Sequence, residues 1–303
     1  MVKTKVIKND EMRVGVIGAT SFIAEYLFPL LMEVGSEITA FSRSKFPPRL
    51  PNKKERITWT SLQLNYSSAG RNIEKWIYLA PIWTLTQHLP LLLSYHAKHI
   101  VVVSSTSRFT KELSSDEKEK KLAKKIAESE EMLIKWAGEN NITWTILRPT
   151  LVYALGRDKN ISVIIRFIKR FYFFPLVGEG KGLRQPVHAY DVAAACVAAL
   201  SAEKAFNRSY NISGGETLTY RQMVEKVFKS LGKKTRFVIL PLWLFRIGIF
   251  ALRLLPCFRY LSPAMAERMN RDLVFDNNAI RELNFVARNF VLNEEDVHAK
   301  KEI

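Results

Sequence analysis

The first half of the chain alternates short apolar runs with longer segments in which apolar residues recur every three or four positions. The short runs predict buried strands, and the longer segments predict helices that cover a sheet. The predicted helices include Phe22–Glu33, which Gly35 ends, and Lys121–Gly138. The predicted strands are Arg13–Ile17, Glu37–Ser42, Ile57–Trp59, Trp76–Ala80, His99–Ser104 and Thr143–Leu147. Strands that alternate with helices predict an α/β fold with a doubly wound parallel sheet.

The second half predicts shorter elements in a looser arrangement. They are helices at Asn160–Phe171, Asp191–Leu200 and Tyr220–Leu231, and strands at Gln185–His188 and Tyr210–Ile212. A Trp- and Phe-rich segment follows, with about fourteen helical residues between Pro241 and Pro256, too few to span a bilayer. We therefore expect an N-terminal extension at 1–12, a nucleotide-binding domain at 13–180, and a smaller C-terminal substrate lobe. That lobe lies mainly at 181–303, with segments that return to the first domain.

The first strand runs directly into a turn that has the spacing of a dinucleotide-binding motif. The three glycine positions of such a motif are occupied by Gly18, Ser21 and Ala24. Gly18 keeps the tight turn, and the small residues at the other two positions still let a helix N-terminus approach a pyrophosphate. The sequence therefore predicts a Rossmann unit with a nicotinamide cofactor on the residues of this turn, Gly18, Thr20, Ser21, Phe22 and Ile23.

The end of the second strand predicts which nicotinamide cofactor binds. An acidic residue there would bind the 2′-hydroxyl of the adenosine ribose, whereas this chain has Arg43 between Ser42 and Ser44. An arginine suits a 2′-phosphate. NADP(H) is therefore favoured, and NAD(H) is the second choice.

Composition and charge narrow the function classes. The 303 residues are 48% hydrophobic and 25% charged, as in ordinary globular proteins. Cys196 and Cys257 form no metal or redox motif, and the polar, basic N-terminus has no secretory signal, so we expect a cytoplasmic protein with reduced thiols. The net charge is +17, and Arg221–Arg271 alone carries eleven Lys and Arg against two acidic residues. Such a surface suits an anionic partner, although no nucleic-acid-binding module is present.

Several segments together match one family pattern. They are Gly18–Ala24, Leu79–Pro81, Ser104–Thr106, Leu147–Tyr153 and Gln185–Ala193, in that order. The chain resembles the extended short-chain dehydrogenase/reductases, the NAD(P)-dependent nucleotide-sugar epimerase/dehydratase group. The segments Arg268–Asp272 and Phe285–Phe290 resemble an atypical branch that includes the NADPH-binding accessory subunit of respiratory complex I.

The resemblance implies roles for the residues that follow the strands. Thr106, with Ser105 beside it, occupies the place of the Ser or Thr that binds the substrate carbonyl or carbinol. The nicotinamide is expected near Pro81, Ser104 and Pro149, and Ala80 is also expected to contact the cofactor. In this family a tyrosine, whose pKa is lowered by a lysine four residues later, transfers the proton that accompanies the hydride.

The chain departs from the family at this pair, because no tyrosine occurs between Ser107 and Ile142. If Glu128 is the helix glutamate of the family, Lys124 takes the lysine position and Lys120 the tyrosine position. If Glu130 is that glutamate, Ile126 and Leu122 take them. Lys124 and the downstream Tyr153 are the replacement candidates.

Four basic residues lie where the family's substrate lobe meets a nucleotide diphosphate: Lys181, Arg184, Arg268 and Arg271. The resemblance implies substrate contacts for Lys181, Arg184 and Arg271. His96 and His99 lack acidic or thiol partners nearby in the sequence, so no metal site is expected.

Two functions stay open. One is an oxidoreductase or epimerase that acts on a nucleotide sugar or a similar polar small molecule. The other is a non-catalytic NADPH-binding protein for assembly or redox sensing. The basic, aromatic segment around Arg246 and Arg253 either closes the substrate cleft, which we favour, or contacts an anionic membrane peripherally at its inner face. The sequence does not predict the oligomeric state.

Overall fold

The computed structural model describes residues 12–43, 56–62, 72–252, 254 and 264–297. The strands are β1 (Arg13–Ile17), β2 (Glu37–Ser42), β3 (Ile57–Ser61), β4 (Lys75–Tyr78), β5 (His99–Val103), β6 (Thr143–Pro149), β7 (Leu151–Tyr153), β8 (Phe174–Val177), β9 (Leu183–Arg184), β10 (Pro186–His188), β11 (Arg208–Ile212), β12 (Leu218–Thr219) and β13 (Phe237–Leu240). The helices are α1 (Ala24–Glu33), α2 (Leu89–Ser94), α3 (Ser107–Thr110), α4 (Glu117–Glu139), α5 (Ile161–Phe171), α6 (Ala189–Ser201), α7 (Tyr220–Ser230), α8 (Leu242–Leu252), α9 (Ala264–Arg268) and α10 (Glu294–Val297). Short 3-10 helices cover Ile82–His88, Glu203–Ala205 and Ala279–Leu283.

Seven strands form one parallel sheet in the order β11-β6-β5-β4-β1-β2-β3. The chain leaves β1 toward β2 and β3, and then returns to the other side of β1 with β4. Such a reversal opens a crevice at the carboxyl ends of the strands, where ligands of doubly wound sheets bind. The predicted α/β class and doubly wound parallel sheet are confirmed.

Helices cover both faces of the sheet, which explains why its strands are apolar throughout. Leu27 and Leu31 of α1 pack on one face together with Val192 of α6. Ile126 and Leu133 of α4 pack on the other face. Both layers hold the ends of β1, β4 and β5 in place. None of the described helices is both long enough and apolar enough to cross a membrane.

A second apolar core lies outside the sheet. It joins α5, α7 and α8 with the parallel pair β8–β13, and its residues include Ile164, Phe167, Val224, Phe228 and Ile249. The two cores interleave along the sequence. Helix α5 precedes residue 180 but packs in the second core, whereas β11 follows residue 180 but joins the central sheet.

Four helix starts differ from the prediction, and two of these differences are small: α5 begins at Ile161 rather than Asn160, and α6 at Ala189 rather than Asp191. Helix α4 begins at Glu117 rather than Lys121, because the Asp116 carboxylate accepts a hydrogen bond from the Lys118 amide at 2.9 Å and caps the helix. Helix α1 begins at Ala24 rather than Phe22, because the turn after β1 continues through Ile23.

Candidate functional site

The turn after β1 has the geometry that the glycine motif predicts. Gly18 adopts φ +83°, and the Ser21 amide donates to its carbonyl at 2.9 Å. A Cβ atom at Gly18 would lie 2.5 Å from the amide nitrogen of Ala80. Only glycine therefore fits here, because both the backbone angle and the close approach of the segment after β4 exclude a side chain.

Amide groups of this turn are available to an anion. Within the described part of the chain, neither the Thr20 nor the Phe22 amide donates a hydrogen bond to the protein. The Ser21 hydroxyl accepts from the Ile23 amide at 3.3 Å, just before α1 begins. Free amides at a helix N-terminus carry partial positive charge and bind phosphate. The turn therefore fits the pyrophosphate of a dinucleotide.

The residues predicted to hold the adenosine end lie at the next strand of the sheet. Phe41 of β2 pairs with Ile17 of β1, so Ser42 and Arg43 follow at the same edge as the turn. Ser42 is buried, whereas Arg43 is exposed and can reach a ligand outside the sheet. Ser44 lies outside the described residues.

The segment after β4 forms the opposite wall of the crevice. The Leu79 amide donates to the Ile17 carbonyl at 2.8 Å, which places Ala80 and Pro81 beside the β1 turn. The Pro81 carbonyl accepts a hydrogen bond from the Thr84 hydroxyl at 2.7 Å. This bond fixes the loop at the position predicted to face the nicotinamide.

Ser104, at the end of β5, is bound to a buried ionic cluster rather than left free. Its hydroxyl donates to the Glu130 carboxylate at 2.5 Å. Arg148 donates to the same carboxylate from Nη2 at 2.8 Å and from Nε at 3.0 Å, and Arg108 also forms an ion pair with it. The Glu130 side chain is fully buried. We call Ser104, Arg108, Glu130 and Arg148 the Glu130 cluster.

The cluster keeps Glu130 ionised. Burial opposes the charge and raises the pKa, but hydrogen bonds from Arg148 and Ser104 and the charge of Arg148 outweigh burial. The pKa of Glu130 therefore lies below its ordinary value. The cluster ties α4 to the ends of β5 and β6, and so positions the segment that carries Thr106.

Thr106 follows β5 at the carboxyl edge of the central sheet. Its amide and its hydroxyl both donate to the Pro149 carbonyl, at 3.1 and 3.2 Å. The Ser105 hydroxyl accepts from the Ser107 amide at 3.0 Å. The structure therefore brings Ser104, Ser105, Thr106 and Pro149 together, as the motif order predicts.

Thr106 lines a polar cavity of about 360 Å³. The cavity is also lined by Arg268, which the sequence analysis places in the substrate lobe, and by two residues that it does not name, Lys111 and Glu119. Glu119 forms ion pairs with Arg268 and, at 3.7 Å, with Lys111. Burial lowers the pKa of Lys111, although the Glu119 charge opposes this shift. Arg268 is 149 positions from Glu119 in sequence, so only the fold shows that the two meet.

The structure does not bring the two replacement candidates to Thr106. The Lys124 side chain is 77% exposed on the outer face of α4, where it forms an ion pair with Glu128 at 3.7 Å. Tyr153 is buried beneath the loop at 290–291, and its hydroxyl donates to the Val291 carbonyl at 3.0 Å. Burial also raises the pKa of Tyr153 far above its ordinary value. Tyr153 is thus a packing residue whose hydroxyl is bound to the backbone.

The three predicted substrate contacts separate in the structure. Lys181 is exposed and forms an ion pair with Glu179 at 2.7 Å. The Arg271 side chain is exposed, and its contribution is a carbonyl that accepts from Arg184 Nη1 at 2.7 Å. Only Arg184 is buried and lines the cavity that Thr106 lines. Of the three, Arg184 alone is placed to contact a ligand in that cavity.

Comparisons with known proteins point to one family. Residues 91–213 match the model of the NAD dependent epimerase/dehydratase family. A mitochondrial NADH dehydrogenase [ubiquinone] 1 alpha subcomplex subunit 9 from Arabidopsis thaliana is 33% identical over 98 residues, which are 32% of this chain and 24% of that protein. The match thus spans about a quarter of the length of this curated relative.

Solved structures share the fold over almost the whole chain. A UDP-glucose 4-epimerase from Thermotoga maritima, solved with UDP-glucose, has a TM-score of 0.65 at 18% identity and covers 94% of this chain and 96% of its own. MoeE5, solved with UDP-glucose and NAD, has a TM-score of 0.65 at 19% identity, with 95% and 96% covered. The chain therefore has the fold of these proteins, and residues 91–213 match the NAD dependent epimerase/dehydratase family model.

The two faces of α4 differ in burial, and this difference decides which of its side chains can reach the candidate site. Glu130 faces the sheet, whereas the side chain of Glu128 is 61% exposed. If the family motif is counted from Glu128, the two residues at the tyrosine and lysine positions, Lys120 and Lys124, therefore lie on the solvent face of α4. The register counted from Glu130 places Leu122 and Ile126 at the family's tyrosine and lysine positions. In neither register does α4 direct a phenol or an ammonium group toward Thr106.

Proposed function

We propose that this protein binds NADP(H) and does not use it to epimerise nucleotide sugars through the tyrosine–lysine pair of the family. The turn at Gly18–Ile23 would hold the pyrophosphate on its free amides, and Pro81, Ser104 and Pro149 would surround the nicotinamide. The bound cofactor would supply a hydride. The proposal rests on Leu122 and Ile126, which occupy the tyrosine and lysine positions counted from Glu130. Neither side chain can transfer the proton that must accompany the hydride.

Arg43 supports the choice of NADP(H) over NAD(H). Its exposed guanidinium follows β2 at the edge where the adenosine ribose would lie. Calorimetric titration should therefore show tighter binding of NADPH than of NADH. Arg43→Ala should weaken NADPH binding by about tenfold, the loss of one charge-assisted contact, and leave NADH binding unchanged. Tighter NADH binding, or an Arg43→Ala variant that binds NADPH normally, would contradict the NADP(H) preference.

The absence of turnover is tested separately from binding. Protein loaded with NADP⁺, the oxidised form that must first accept a hydride from the sugar, is incubated with a panel of nucleotide sugars. We expect no reduced cofactor and no epimer, while NADP⁺ still binds. Reduction of the cofactor by any nucleotide sugar, or formation of its epimer, would overturn this part of the proposal. The relative named as a subunit of NADH dehydrogenase supports it.

Lys111 favours a second candidate function, an oxidoreductase that acts on a carbonyl or alcohol other than a nucleotide sugar. Lys111 lines the cavity that Thr106 lines, and burial lowers its pKa toward the range where an ammonium can release a proton. In this case Thr106 would orient the substrate oxygen, and Lys111 would exchange its proton. Lys111→Met should abolish NADPH oxidation with any carbonyl that supports it. Lys124→Met, on the exposed face of the neighbouring helix, is the matched control and should retain the activity.

A further inference from the structure

A large apolar cavity lies beside the polar cavity of Thr106. Its volume is about 370 Å³, within the range of small-molecule sites. Helix α5 contributes Ile164 and Phe167, α7 contributes Met223, and α8 contributes Phe245 and Ile249. The walls are largely hydrocarbon, which suits an apolar ligand and offers a sugar or phosphate few hydrogen-bond partners.

The two cavities meet at one charged boundary. Arg184 and Arg268 line both of them, together with Leu151, Asn160 and Leu273. On the polar side, Lys111, Lys159 and the two arginines face a single carboxylate, Glu119. Positive charge is therefore in excess where the apolar cavity opens.

Arg184 is a buried cation whose charge Asp272 offsets only in part, from beyond ion-pair distance. The residue is 4% exposed, and its guanidinium donates to the main-chain carbonyls of Leu183, Arg268 and Arg271. Within the described ranges it forms no ion pair with a carboxylate, and burial lowers its pKa to about 10. It also lies 5.4 Å from the centre of the Tyr220 ring. A buried cation with neutral partners is a site for an anionic group.

We propose that the apolar cavity holds the hydrocarbon body of an amphiphilic ligand whose anionic group binds Arg184 at the junction with the polar cavity. The ligand class is a long-chain carboxylate or a similar anionic lipid. Its body lies between α5 and α8, and its head points toward Thr106. The proposal is independent of NADP(H) binding, because none of the cavity residues belongs to the Gly18–Ile23 turn.

The ligand series that tests the proposal needs no variant. Dodecanoate, dodecanol and UDP-glucose are titrated into the full chain by calorimetry, below the concentrations at which the amphiphiles aggregate. We expect one-site binding of dodecanoate, with a rise in the melting temperature as its concentration increases. Dodecanol, which lacks the charge, should bind at least tenfold more weakly. Equal binding of dodecanol and dodecanoate, or tighter binding of UDP-glucose, would overturn the proposal.

A variant pair locates the ligand. Gly248 lines the cavity, and a Cβ atom built on it meets no other atom within 4 Å. Gly248→Leu should therefore fold, since leucine favours a helix over glycine, and should weaken dodecanoate binding at least tenfold by filling the site. Ala251→Leu adds the same side chain to α8 at an exposed position and should leave binding within twofold of the parent. Unchanged dodecanoate binding by Gly248→Leu would place the ligand elsewhere and overturn the proposal.

NADPH binding is measured on the same three proteins. We expect it to be equal in the parent, Gly248→Leu and Ala251→Leu. If NADPH binds to none of the three proteins while dodecanoate binds as described, the cofactor proposal fails and the amphiphile proposal stands.

Discussion

Glu130 is the residue on which the position of α4 depends most. Removing its charge while keeping its shape leaves the buried Arg148 without its carboxylate partner, and leaves Arg108 with only the exposed Glu131 at 3.6 Å. Breaking a buried ion pair in this way costs about 3–5 kcal/mol. We therefore expect Glu130→Gln to lower the free energy of unfolding by that amount, measured by urea denaturation. Glu128→Gln, which removes the exposed partner of Lys124, should cost about 0–1 kcal/mol.

The same cluster predicts a pH dependence of stability. The pKa of Glu130 is lowered in the folded protein, so its contribution is complete at neutral pH. It is lost only as the pH falls below the ordinary glutamate value of about 4.5 and approaches the folded pKa. The difference in unfolding free energy between the parent and Glu130→Gln should therefore shrink in acid. A difference that stays constant from pH 7 down to pH 3 would show that Glu130 is not ionised in the fold.

At the scale of single elements, the sequence predicts all seven strands of the central sheet, but none of β7, β8, β9, β12 and β13. Strands β1 and β2 have the predicted bounds, because burial on both faces of a parallel sheet makes their apolar runs continuous. The predicted helix ends differ more from the structure, since a cap depends on one side chain. The cap of α4 is Asp116, a residue type that signals a helix start in sequence.

The candidate site was predictable only where it follows the strands. Ser104, Thr106 and Pro149 are each adjacent to a strand end, and parallel strands bring their carboxyl ends together. The sequence did not decide whether Glu128 or Glu130 faces the sheet. Residues two positions apart on a helix lie on nearly opposite faces, so an error of two residues reverses the answer. The contact of Arg268 with Glu119 joins residues 149 positions apart, and no local pattern encodes it.

The N-terminal cap of α7, whose start at Tyr220 agrees with the prediction, can be tested by substitution. The Thr219 hydroxyl accepts from the Gln222 amide at 3.1 Å, and the Gln222 side chain accepts from the Thr219 amide at 2.9 Å, which forms a capping box. Thr219→Ala should lower the free energy of unfolding by about 1 kcal/mol. Thr217→Ala, at an exposed position just before the helix, should change it by no more than about 0.5 kcal/mol. Equal effects of the two substitutions would argue against the cap.

At the scale of the whole molecule, α8 has apolar side chains on two sides. Phe245 and Ile249 face the second core, whereas Trp243, Ile247 and Phe250 are 64%, 59% and 75% exposed. The predicted closure of a cleft and the predicted membrane contact are therefore compatible, because they use different faces of one helix. Arg246 lies on this helix and forms an ion pair with Glu267 at 2.7 Å, and Arg253 lies outside the described residues.

The exposed face of α8 predicts reversible attachment to an anionic membrane. Each Lys or Arg near such a surface contributes about 1 kcal/mol before screening, and partial insertion of Trp243 and Phe250 adds an apolar contribution. We expect the protein to co-sediment with anionic vesicles at low salt, and less at high salt. Replacing both Trp243 and Phe250 by serine should reduce binding at least tenfold. Val286→Ser removes an apolar side chain that is 82% exposed away from α8, and should leave vesicle binding unchanged. If anionic and neutral vesicles bind equally poorly at low salt, α8 serves the second core alone.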